Sequence, residues 1–223
     1  DIRNRGFEIV IDAVPIRNDN FTWNINANGS YGKSIVEKLN VPIQTFEGDT
    51  SDASNELVAL APDHLLGEYY TFLWAGVAQA DDAANNIKAG DGLWYLDESK
   101  TGVTNDKLKA SKGWVGKNAF PTYNIGITNE FKYKNISLSF LISGQFDFLV
   151  QNGVHSYTIH DGRFPTRNQI TDALYNSWTD APGAENYSTE NPKQIIGNPS
   201  SSRLESTRFL NKGDHLRLKE LRV

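Results

Sequence analysis

Residues 120–148, FPTYNIGITNEFKYKNISLSFLISGQFDF, alternate apolar and polar side chains along two runs of about ten residues. A short polar segment, Tyr133-Lys134-Asn135, separates the two runs. Because side chains of a strand point to opposite faces in turn, each run predicts a strand with one apolar and one polar face. A fold that contains this stretch must therefore accommodate a long antiparallel hairpin whose two faces differ in polarity.

The alternation assigns each side chain of the hairpin to a face. The predicted apolar face is interrupted at Asn129 and has a gap at Gly144, and the predicted polar face has one apolar exception, Leu141. The apolar face comprises Tyr123, Ile125, Ile127, Phe131, Tyr133, Ile136, Leu138, Phe140, Ile142, Phe146 and Phe148. The polar face comprises Asn124, Gly126, Thr128, Glu130, Lys132, Ser137, Ser139, Ser143, Gln145 and Asp147.

Two architectures explain such a hairpin. In a soluble β-sandwich the apolar face packs against a second sheet. In an outer-membrane barrel it faces lipid, and strands of roughly 9–11 residues cross the bilayer with aromatic side chains near both ends. The predicted strands run about 10–13 residues, which exceeds the usual mode of about 5–6. Aromatics lie near their ends, so the pattern favours the membrane barrel, with a wide, wet interior on the polar side.

The rest of the chain continues the β pattern. Strands are predicted at 7–17, 21–31, 67–77, 92–97 and 214–223, in addition to 121–133 and 136–148. Tight turns at 18–20 and 133–135 alternate with long connections at about 32–66, 98–119 and 149–213. Short helices are predicted at 34–39 and 169–178. Structureless connections of this length usually carry function or are disordered, so they are expected to be external loops.

Composition excludes several function classes. The chain has no cysteine, which rules out disulfides, zinc thiolates and thiol catalysis. A net charge of −5 argues against nucleic acid as the main partner. No run approaches the roughly 18 apolar residues of a membrane-spanning helix. Both ends fall within predicted strands and there is no methionine, so the chain is expected to be a piece of a longer protein.

Five stretches resemble, in the same order, stretches of the SusC/RagA-type TonB-dependent outer-membrane transporters. A hairpin at residues 5–28 begins Arg5-Gly6-Phe7, and a second stretch covers 67–77. The third, 121–138, is the strongest match. Trp178-Thr179 followed by Glu190-Asn191-Pro192 resembles an external-loop motif, and 206–219 resembles the approach to a late barrel strand. The resemblance covers most of the chain.

The resemblance implies an all-β chain that forms part of a large antiparallel transmembrane β-barrel with long extracellular loops. Residues 1–223 would be a partial barrel domain, about seven strands of a plugged barrel of about 22, from its C-terminal half. The plug domain, the TonB-contacting segment and the closing strands would lie outside this chain. Strands 7–17, 67–77, 121–133 and 214–223 would descend through the membrane, and 21–31, 92–97 and 136–148 would ascend.

Family function follows from the same resemblance. Its members import oligosaccharides, and in some cases peptides, across the bacterial outer membrane with TonB-derived energy and usually with a SusD-like surface lipoprotein. The barrel performs no covalent chemistry, so no catalytic residue is expected. A soluble carbohydrate-binding or adhesive β-sandwich is the alternative, and a hydrolase on a β scaffold lacks any motif.

Candidate functional residues fall into three groups. The lipid-facing candidates are Trp23, Ile25, Ile127, Leu138, Phe140 and Ile142. The lumen candidates are Asn24, Asn26, Thr128, Ser139, Ser143 and Gln145. The loop aromatics Trp114, Tyr157, Tyr175 and Trp178 are candidate cargo contacts, since aromatic faces stack well on sugar rings and peptide side chains.

Three further patterns are weaker. Gly32-Lys33-Ser34 lacks the glycine that a phosphate-binding loop needs five residues earlier, where Ala27 stands. Scattered acids, among them Asp49, Asp52, Asp81 and Asp82, do not form a calcium loop motif, so no cofactor is expected, with calcium in an external loop the exception considered. His155 and His160 flank a tyrosine without the further ligands of a metal site, and no metal ligand is predicted.

Overall fold

The computed structural model describes residues 1–45, 57–198 and 202–223, and only the backbone of residues 44 and 45. In these ranges the strands are β1 Ile2–Arg17, β2 Phe21–Val36, β3 Gln44–Thr45, β4 Ala59–Leu60, β5 Glu68–Phe72, β6 Trp74–Val77, β7 Gly92–Tyr95, β8 Val103–Thr104, β9 Lys112–Asn118, β10 Tyr123–Tyr133, β11 Ile136–Phe146, β12 Leu149–Gln151, β13 Leu210–Lys212 and β14 His215–Arg222. The helices are α1 Gly153–Thr158 and α2 Thr171–Tyr175, with 3₁₀ turns at Lys107–Lys109 and Thr207–Phe209.

Five long strands form one antiparallel sheet in the order β1-β2-β10-β11-β14. β1 and β2 each have 16 residues, and β10 and β11 each have 11. These lengths exceed the roughly 5–6 residues of an ordinary strand and reach the 9–11 that a bilayer requires. The all-β, antiparallel architecture predicted from the alternation is confirmed.

Tight turns join consecutive strands at one end of the strands, which we call the turn end. In the first turn the Asn18 side-chain oxygen accepts hydrogen bonds from the backbone N–H groups of Asn20 and Phe21 at 3.1 and 2.9 Å. In the second, Lys134 adopts a left-handed φ of 52° and donates its N–H to the Asn20 carbonyl. Both predicted turns are confirmed, and the hydrogen bond between them holds the two hairpins in register.

Two long connections leave the sheet at the opposite end of the strands, which we call the loop end. Residues 37–122 connect β2 to β10, and residues 147–214 connect β11 to β14. We call these two connections together the loop region. Because β2 pairs directly with β10, the first connection contributes no strand to the large sheet.

The expected count of about seven barrel strands is therefore corrected to five among the residues that the structure describes. Of the predicted strands, 67–77 splits at Leu73 into β5 and β6, and 92–97 contains β7. β5 pairs with β9, while β6, β7 and β8 form a separate small sheet. The physical reason is burial on both faces: Glu68 and Tyr69 are neighbours in the chain, yet both are buried in the loop region.

The two predicted helices have different outcomes. The first, at 34–39, is wrong: Ser34, Ile35 and Val36 continue β2, since their backbone pairs with the start of β1. The second is confirmed in a shorter form as α2. In the described part of the chain no helix is long and apolar enough to cross a membrane.

The loop region has its own hydrophobic core, and contacts between its two connections hold them together. Trp94 and Phe209, one from each connection, are fully buried. The backbone N–H of Trp74 donates to the Thr207 hydroxyl at 2.9 Å, and the Tyr69 hydroxyl donates to the Leu149 carbonyl at 3.2 Å. The connections are thus one folded unit at the loop end of the sheet.

Candidate functional site

The large sheet has two chemically distinct faces, as the alternation predicts. Register partners place the same chemistry side by side across the strands: Trp23 lies opposite Phe131, which lies opposite Leu138. The apolar face includes the six candidates Trp23, Ile25, Ile127, Leu138, Phe140 and Ile142, with Phe7, Ile9, Ile11, Tyr31, Tyr123, Phe131, Phe146, Leu216, Leu218 and Leu221. The polar face includes Asn24, Asn26, Thr128, Ser139, Ser143 and Gln145, with Glu8, Asp12, Ser30, Asn124, Glu130, Arg217 and Arg222.

The polar face carries a network of side-chain hydrogen bonds between strands. The Asn26 amide donates to the Asp12 carboxylate at 2.5 Å, and the Asn24 amide donates to Glu130 at 3.3 Å. Gln145 donates to the Asn124 side-chain oxygen at 3.0 Å. These bonds join β1 to β2, β2 to β10 and β10 to β11. Three of the predicted lumen residues, Asn24, Asn26 and Gln145, therefore belong to one continuous polar surface.

Ser139 occupies a charged position on that surface. It lies opposite Glu130 on β10 and opposite Arg222 on β14. Arg222 forms an ion pair with Glu220. The polar face thus alternates hydroxyls and amides with charges of both signs, which can hydrogen-bond a polar solute or another polar surface.

The apolar face is uncovered. Phe7 is 65% exposed and Leu218 62% exposed. The face consists almost wholly of aliphatic and aromatic side chains over five strands, which far exceeds the scattered apolar residues of an ordinary protein surface. A face of this kind requires an apolar environment.

Asn129 is the polar exception on the apolar face. Its side-chain oxygen accepts a hydrogen bond from the Trp23 indole N–H at 3.1 Å. Each group satisfies the other, so neither is left unpaired away from water. The interruption in the sequence pattern is explained by this pair.

Aromatic side chains mark both ends of the apolar face. At the loop end, Phe7 stacks on Tyr31 at 5.5 Å and Tyr31 contacts Tyr123 at 5.3 Å between ring centroids. At the turn end, Phe131 contacts the rings of Phe21, Trp23 and Phe140 at 6.3, 5.6 and 6.0 Å. Such rings prefer the interface between hydrocarbon and water.

The distance between the tyrosines at the two ends of β10 matches the thickness of a membrane. β10 runs from Tyr123 to Tyr133, both about half exposed. Ten steps of roughly 3.3 Å give about 33 Å along the strand, and a tilt of about 40° reduces this to about 25 Å along the membrane normal. That is about the height of the apolar band of an outer-membrane barrel.

The loop aromatics separate into buried and exposed residues. Trp178 is only 3% exposed. It contacts Tyr187 at 6.0 Å and lies under the Lys193 ammonium at 5.2 Å. Gly90, at φ 92°, packs so closely that a Cβ there would come within 2.7 Å of the Trp178 ring. The ring of Trp178 is thus enclosed by the loop region, and its contact with cargo stays a prediction.

The other three loop aromatics remain accessible. Trp114 is half-buried, stacked on the His64 imidazole at 3.8 Å, and Tyr70 lies beside it at 4.8 Å. Tyr157 on α1 and Tyr175 on α2 are 53% and 71% exposed. The Ile170 N–H donates to the Thr158 carbonyl, which brings the two short helices together. The structure offers these three rings to a partner or solute.

The weaker patterns arise from local structure. Gly32-Lys33-Ser34 lies within β2 and forms no loop. The Asp81 carboxylate accepts from the backbone of Ala89 and from Lys88, which lowers its pKa, and Asp82 caps its own turn at Ala84 and Asn85. Asp49 and Asp52 lie outside the described residues. Within the described ranges, no group of three histidines or acids is arranged to hold a metal ion.

The two loop histidines occupy separate surroundings. The His155 ring lies edge-on to Phe209, and the His160 ring lies edge-on to Phe164. The His160 Nδ1 accepts the Gly162 N–H at 3.1 Å. Burial lowers the pKa of both imidazoles. Each histidine is therefore a packed, largely neutral side chain of the loop region.

Arg208 is a structural residue that the sequence pattern did not single out. Its guanidinium donates to the carbonyls of Ser202 and Ile159 and to the Asn191 side chain, at 3.0, 3.4 and 3.1 Å. It also lies 5.1 Å from the Trp74 ring, which belongs to the other connection. Burial lowers its pKa to about 10, so it remains charged at neutral pH. Nothing local in the sequence distinguishes it from a surface arginine.

Curated relatives match nearly the whole chain. TonB-dependent receptor P3 of Formosa agariphila is 22% identical over 240 residues, which cover 99% of this chain and 21% of that protein. TonB-dependent receptor P26 of the same organism is 22% identical over 234 residues, covering 100% of this chain and 22% of that protein. The chain thus spans about a fifth of the length of these relatives. No protein-family model matches it.

Solved structures match the fold over the same extent. A structure of the RagAB peptide transporter superposes with a TM-score of 0.77 at 19% identity, over 99% of this chain and 22% of that one. The RagAB peptide importer in its open-open state gives a TM-score of 0.76 at 18% identity, with the same coverage.

A two-faced antiparallel sheet of membrane-spanning length, with a folded loop region at one end, is the architecture of a segment of an outer-membrane β-barrel. Over its whole length the chain is similar in sequence to TonB-dependent receptors, and its fold matches that of the RagAB structures. These comparisons place the chain in the bacterial outer membrane, and the relatives that it matches are receptors and transporters.

Proposed function

We propose that this chain forms part of the wall and external loops of a transporter that imports oligosaccharides or peptides across the outer membrane. The observation that carries the proposal is the sheet with an uncovered apolar face, a hydrogen-bonded polar face and a folded loop region beyond one edge. An importer needs these three parts: a surface for lipid, a wet path for solute and an external receptor surface.

The apolar face is the lipid-facing wall in this proposal. Trp23, Ile25, Ile127, Leu138, Phe140 and Ile142 share that face. Phe140 and Ile142 lie near the middle of β11, with the Phe140 ring on the inner side of the turn-end aromatic group, so they are expected to contact acyl chains near the bilayer midplane.

The polar face is the lumen wall. Asn24, Asn26, Ser139 and Gln145 expose amides and a hydroxyl, which hydrogen-bond a polar solute or the plug domain without binding it too tightly to release. The proposal assigns no single residue as a cargo site, because the network is spread over three strand pairs.

The external loops supply the receptor surface. Tyr157, Tyr175 and the stacked pair His64 and Trp114 present flat apolar area that suits a sugar ring or a peptide side chain. Trp178 supports this surface from inside the loop region, where its ring is enclosed.

Cargo class, energy and partner follow the family. The solved neighbours are described as peptide transporters and importers, which favours peptide, while the exposed aromatics suit oligosaccharide equally well. We infer that TonB supplies energy through a segment outside this chain, and that a SusD-like surface lipoprotein works with the loop region.

Uptake by the complete receptor tests this function. Cells that express it, and cells that lack it, receive labelled peptides and labelled oligosaccharides with and without a proton uncoupler. We expect uptake of one class to need both the receptor and the proton gradient. Uptake of neither class, or uptake that persists without the gradient, would contradict the proposal.

A matched pair of variants locates the path within this chain. Gln145→Leu on the polar face is expected to lower uptake at unchanged surface abundance. Ile142→Val on the apolar face is the control and is expected to leave uptake unchanged. Equal effects would mean that the polar face is not the path.

The alternative, a soluble carbohydrate-binding or adhesive β-sandwich, needs a second sheet against the apolar face. Among the described residues that face is instead open, with Ile9 and Ile11 more than half exposed. The discriminating measurement is the solubility of this segment: a detergent-free monomer that unfolds cooperatively would favour the sandwich.

A further inference from the structure

Basic side chains lie on the apolar face just beyond Phe7, Tyr31 and Tyr123, which we call the loop-end aromatic row. Along β1 the alternation that places Phe7 on this face also places Arg5 and Arg3 there. Along β2 it places Lys33 on the same face, two residues beyond Tyr31. Arg5 and Lys33 are register partners, directly opposite each other. The outer wall thus changes from aromatic to cationic within one pair of residues.

The two facing cations differ from the other basic residues nearby. Arg3 is bonded to Glu37 at 2.6 Å, and Lys117 is bonded to Asp147. Neither Arg5 nor Lys33 forms an ion pair with any residue in 1–45, 57–198 or 202–223. Asp147, whose pKa is lowered mainly by its hydrogen bond from Lys117, also interacts with Lys33 at longer range. Like charges directly opposite on neighbouring strands destabilise a sheet. An anion bound between the two side chains would attract both of them and offset their mutual repulsion.

The pair lies at the height of lipid headgroups. Two strand residues span roughly 7 Å, or about 5 Å along the normal at a tilt of about 40°. The headgroup zone extends from the hydrocarbon edge by about 5–8 Å, since a core of about 30 Å lies within a bilayer of about 40–45 Å. If Phe7 and Tyr31 mark that edge, Arg5 and Lys33 reach the phosphates of the leaflet on the loop side.

A shallow hollow adjoins Lys33. Its volume is about 70 Å³, and its lining combines Lys33 and the polar Ser34, Asn118 and Thr122 with the apolar Leu65, Leu66 and Phe120. Phe120 is 61% exposed beside it. A cation next to an exposed aromatic ring matches an amphiphile whose headgroup is anionic and whose adjoining part is apolar.

We propose that Arg5 and Lys33 bind a phosphate of lipid A, the phosphorylated glycolipid of the outer leaflet, on the outer wall of the barrel. The proposal rests on the lipid-facing role of the apolar face proposed above. Arg5 offers the planar fork that matches phosphate oxygens, and Lys33 adds a point charge from the neighbouring strand. The phosphate replaces repulsion between the two cations with two charge-assisted hydrogen bonds.

The complete receptor, purified and placed in phosphatidylcholine nanodiscs, tests the proposal with bisphosphorylated lipid A as probe. The variant Arg5→Gln/Lys33→Gln is expected to bind fluorescent lipid A about tenfold more weakly, the loss of roughly 1.4 kcal/mol. The exchange Arg5→Lys/Lys33→Arg keeps both charges and is expected to retain most of the affinity. Dephosphorylated lipid A is expected to bind the parent and the neutral variant equally.

A cation on the polar face is the control for a general effect of charge. Arg217→Gln removes such a cation and is expected to change lipid A binding less than about twofold. The proposal is overturned if the neutral double variant binds like the parent, if Arg217→Gln loses as much, or if millimolar inorganic phosphate displaces the lipid. Heat-modifiable gel mobility verifies folding, and the single variants Arg5→Gln and Lys33→Gln replace a double variant that fails to fold.

Failure of this site is distinguishable from failure of the importer function. Cargo uptake can persist in a receptor whose wall does not bind lipid A phosphate. If Phe140→Arg is tolerated in the membrane, in contrast, the placement of the apolar face itself is wrong and both proposals fall.

Discussion

The large sheet and the loop region differ in where their apolar side chains lie. In the sheet, Phe7 and Leu218 are more than 60% exposed on one face, while the other face carries hydrogen-bonded amides and carboxylates. In the loop region, Trp94 and Phe209 are fully buried in a core, although single apolar side chains such as Leu108 are exposed as well. The apolar side chains therefore form an exposed face in the sheet and a buried core in the loop region, and the loop-end aromatic row lies at the boundary between the two.

The difference teaches how each region is stabilised. The loop region depends on a core, so its stability should respond to cavities and buried charges as in a soluble protein. The sheet depends on strand pairing in lipid, so its stability should respond to polarity on the outer face. Substitutions in the two regions, and a change of pH, test this contrast from the largest expected effect to the smallest.

Trp178→Ala should destabilise the loop region by about 3–5 kcal/mol, because it removes a ring that is 3% exposed and leaves a cavity. Limited proteolysis and hydrogen exchange of the complete receptor measure the effect, with the sheet unaffected. Tyr175→Ala, at a residue 71% exposed, is the matched control and should change stability by less than about 0.5 kcal/mol. A Trp178→Ala variant as resistant as the parent would refute a packed loop core.

Phe140→Arg should destabilise the sheet by about 2–4 kcal/mol, because the charge would lie near the bilayer midplane. Ser139→Arg, one residue away on the polar face and opposite Glu130, should be tolerated. Denaturant unfolding of the receptor in lipid vesicles gives both values. Equal tolerance at the two positions would remove the distinction between lipid and lumen faces.

Lowering the pH below about 6.5 should weaken the loop region through His160. Burial lowers the pKa of this histidine, so the unfolded state binds the proton first. The stabilisation is therefore complete above the unfolded pKa of about 6.5 and is lost as pH falls toward the lower folded value, by at most about 1.4 kcal/mol per pH unit. Hydrogen exchange at pH 7.5 and 5.5 measures it.

His160→Asn is the matched variant for that experiment. The Asn side-chain oxygen can accept the Gly162 N–H as the imidazole Nδ1 does, but it does not titrate. The variant should lose part of the pH dependence, and the share that remains belongs to His155, whose pKa burial also lowers. A pH dependence unchanged in the variant would show that His160 does not contribute.

Trp23→Phe should have the smallest effect, about 0.5–1.5 kcal/mol, because it leaves the Asn129 amide unpaired on the apolar face. Asn129→Leu should cost less or stabilise, since it removes the polar group altogether. A double-mutant cycle between the two positions gives the coupling energy. A coupling near zero would mean that the hydrogen bond does not protect Asn129 in the membrane.

The strands of the sheet could be predicted from local pattern alone, and those of the loop region could not. The alternation along residues 123–133 and 136–146 can be read from the residues of each strand alone, so it predicts both the strands and the faces. Residues 67–77 also look like a strand, but their fate depends on β9, which is more than 30 residues away in sequence. The predicted helix at 34–39 failed for the same reason: pairing with β1 extends β2 through Val36.

The sequence by itself determined the period of two, the tight turns, the chemistry of each face and the resemblance to TonB-dependent transporters. These depend on side-chain direction, which is set by each residue and its immediate neighbours. Only the tertiary structure decided that β2 pairs with β10 across a long connection, that Trp178 is buried, that Arg208 hydrogen-bonds within the loop region, and that Arg5 faces Lys33. Burial and pairing are decided by segments distant in the chain, and no local pattern contains that information.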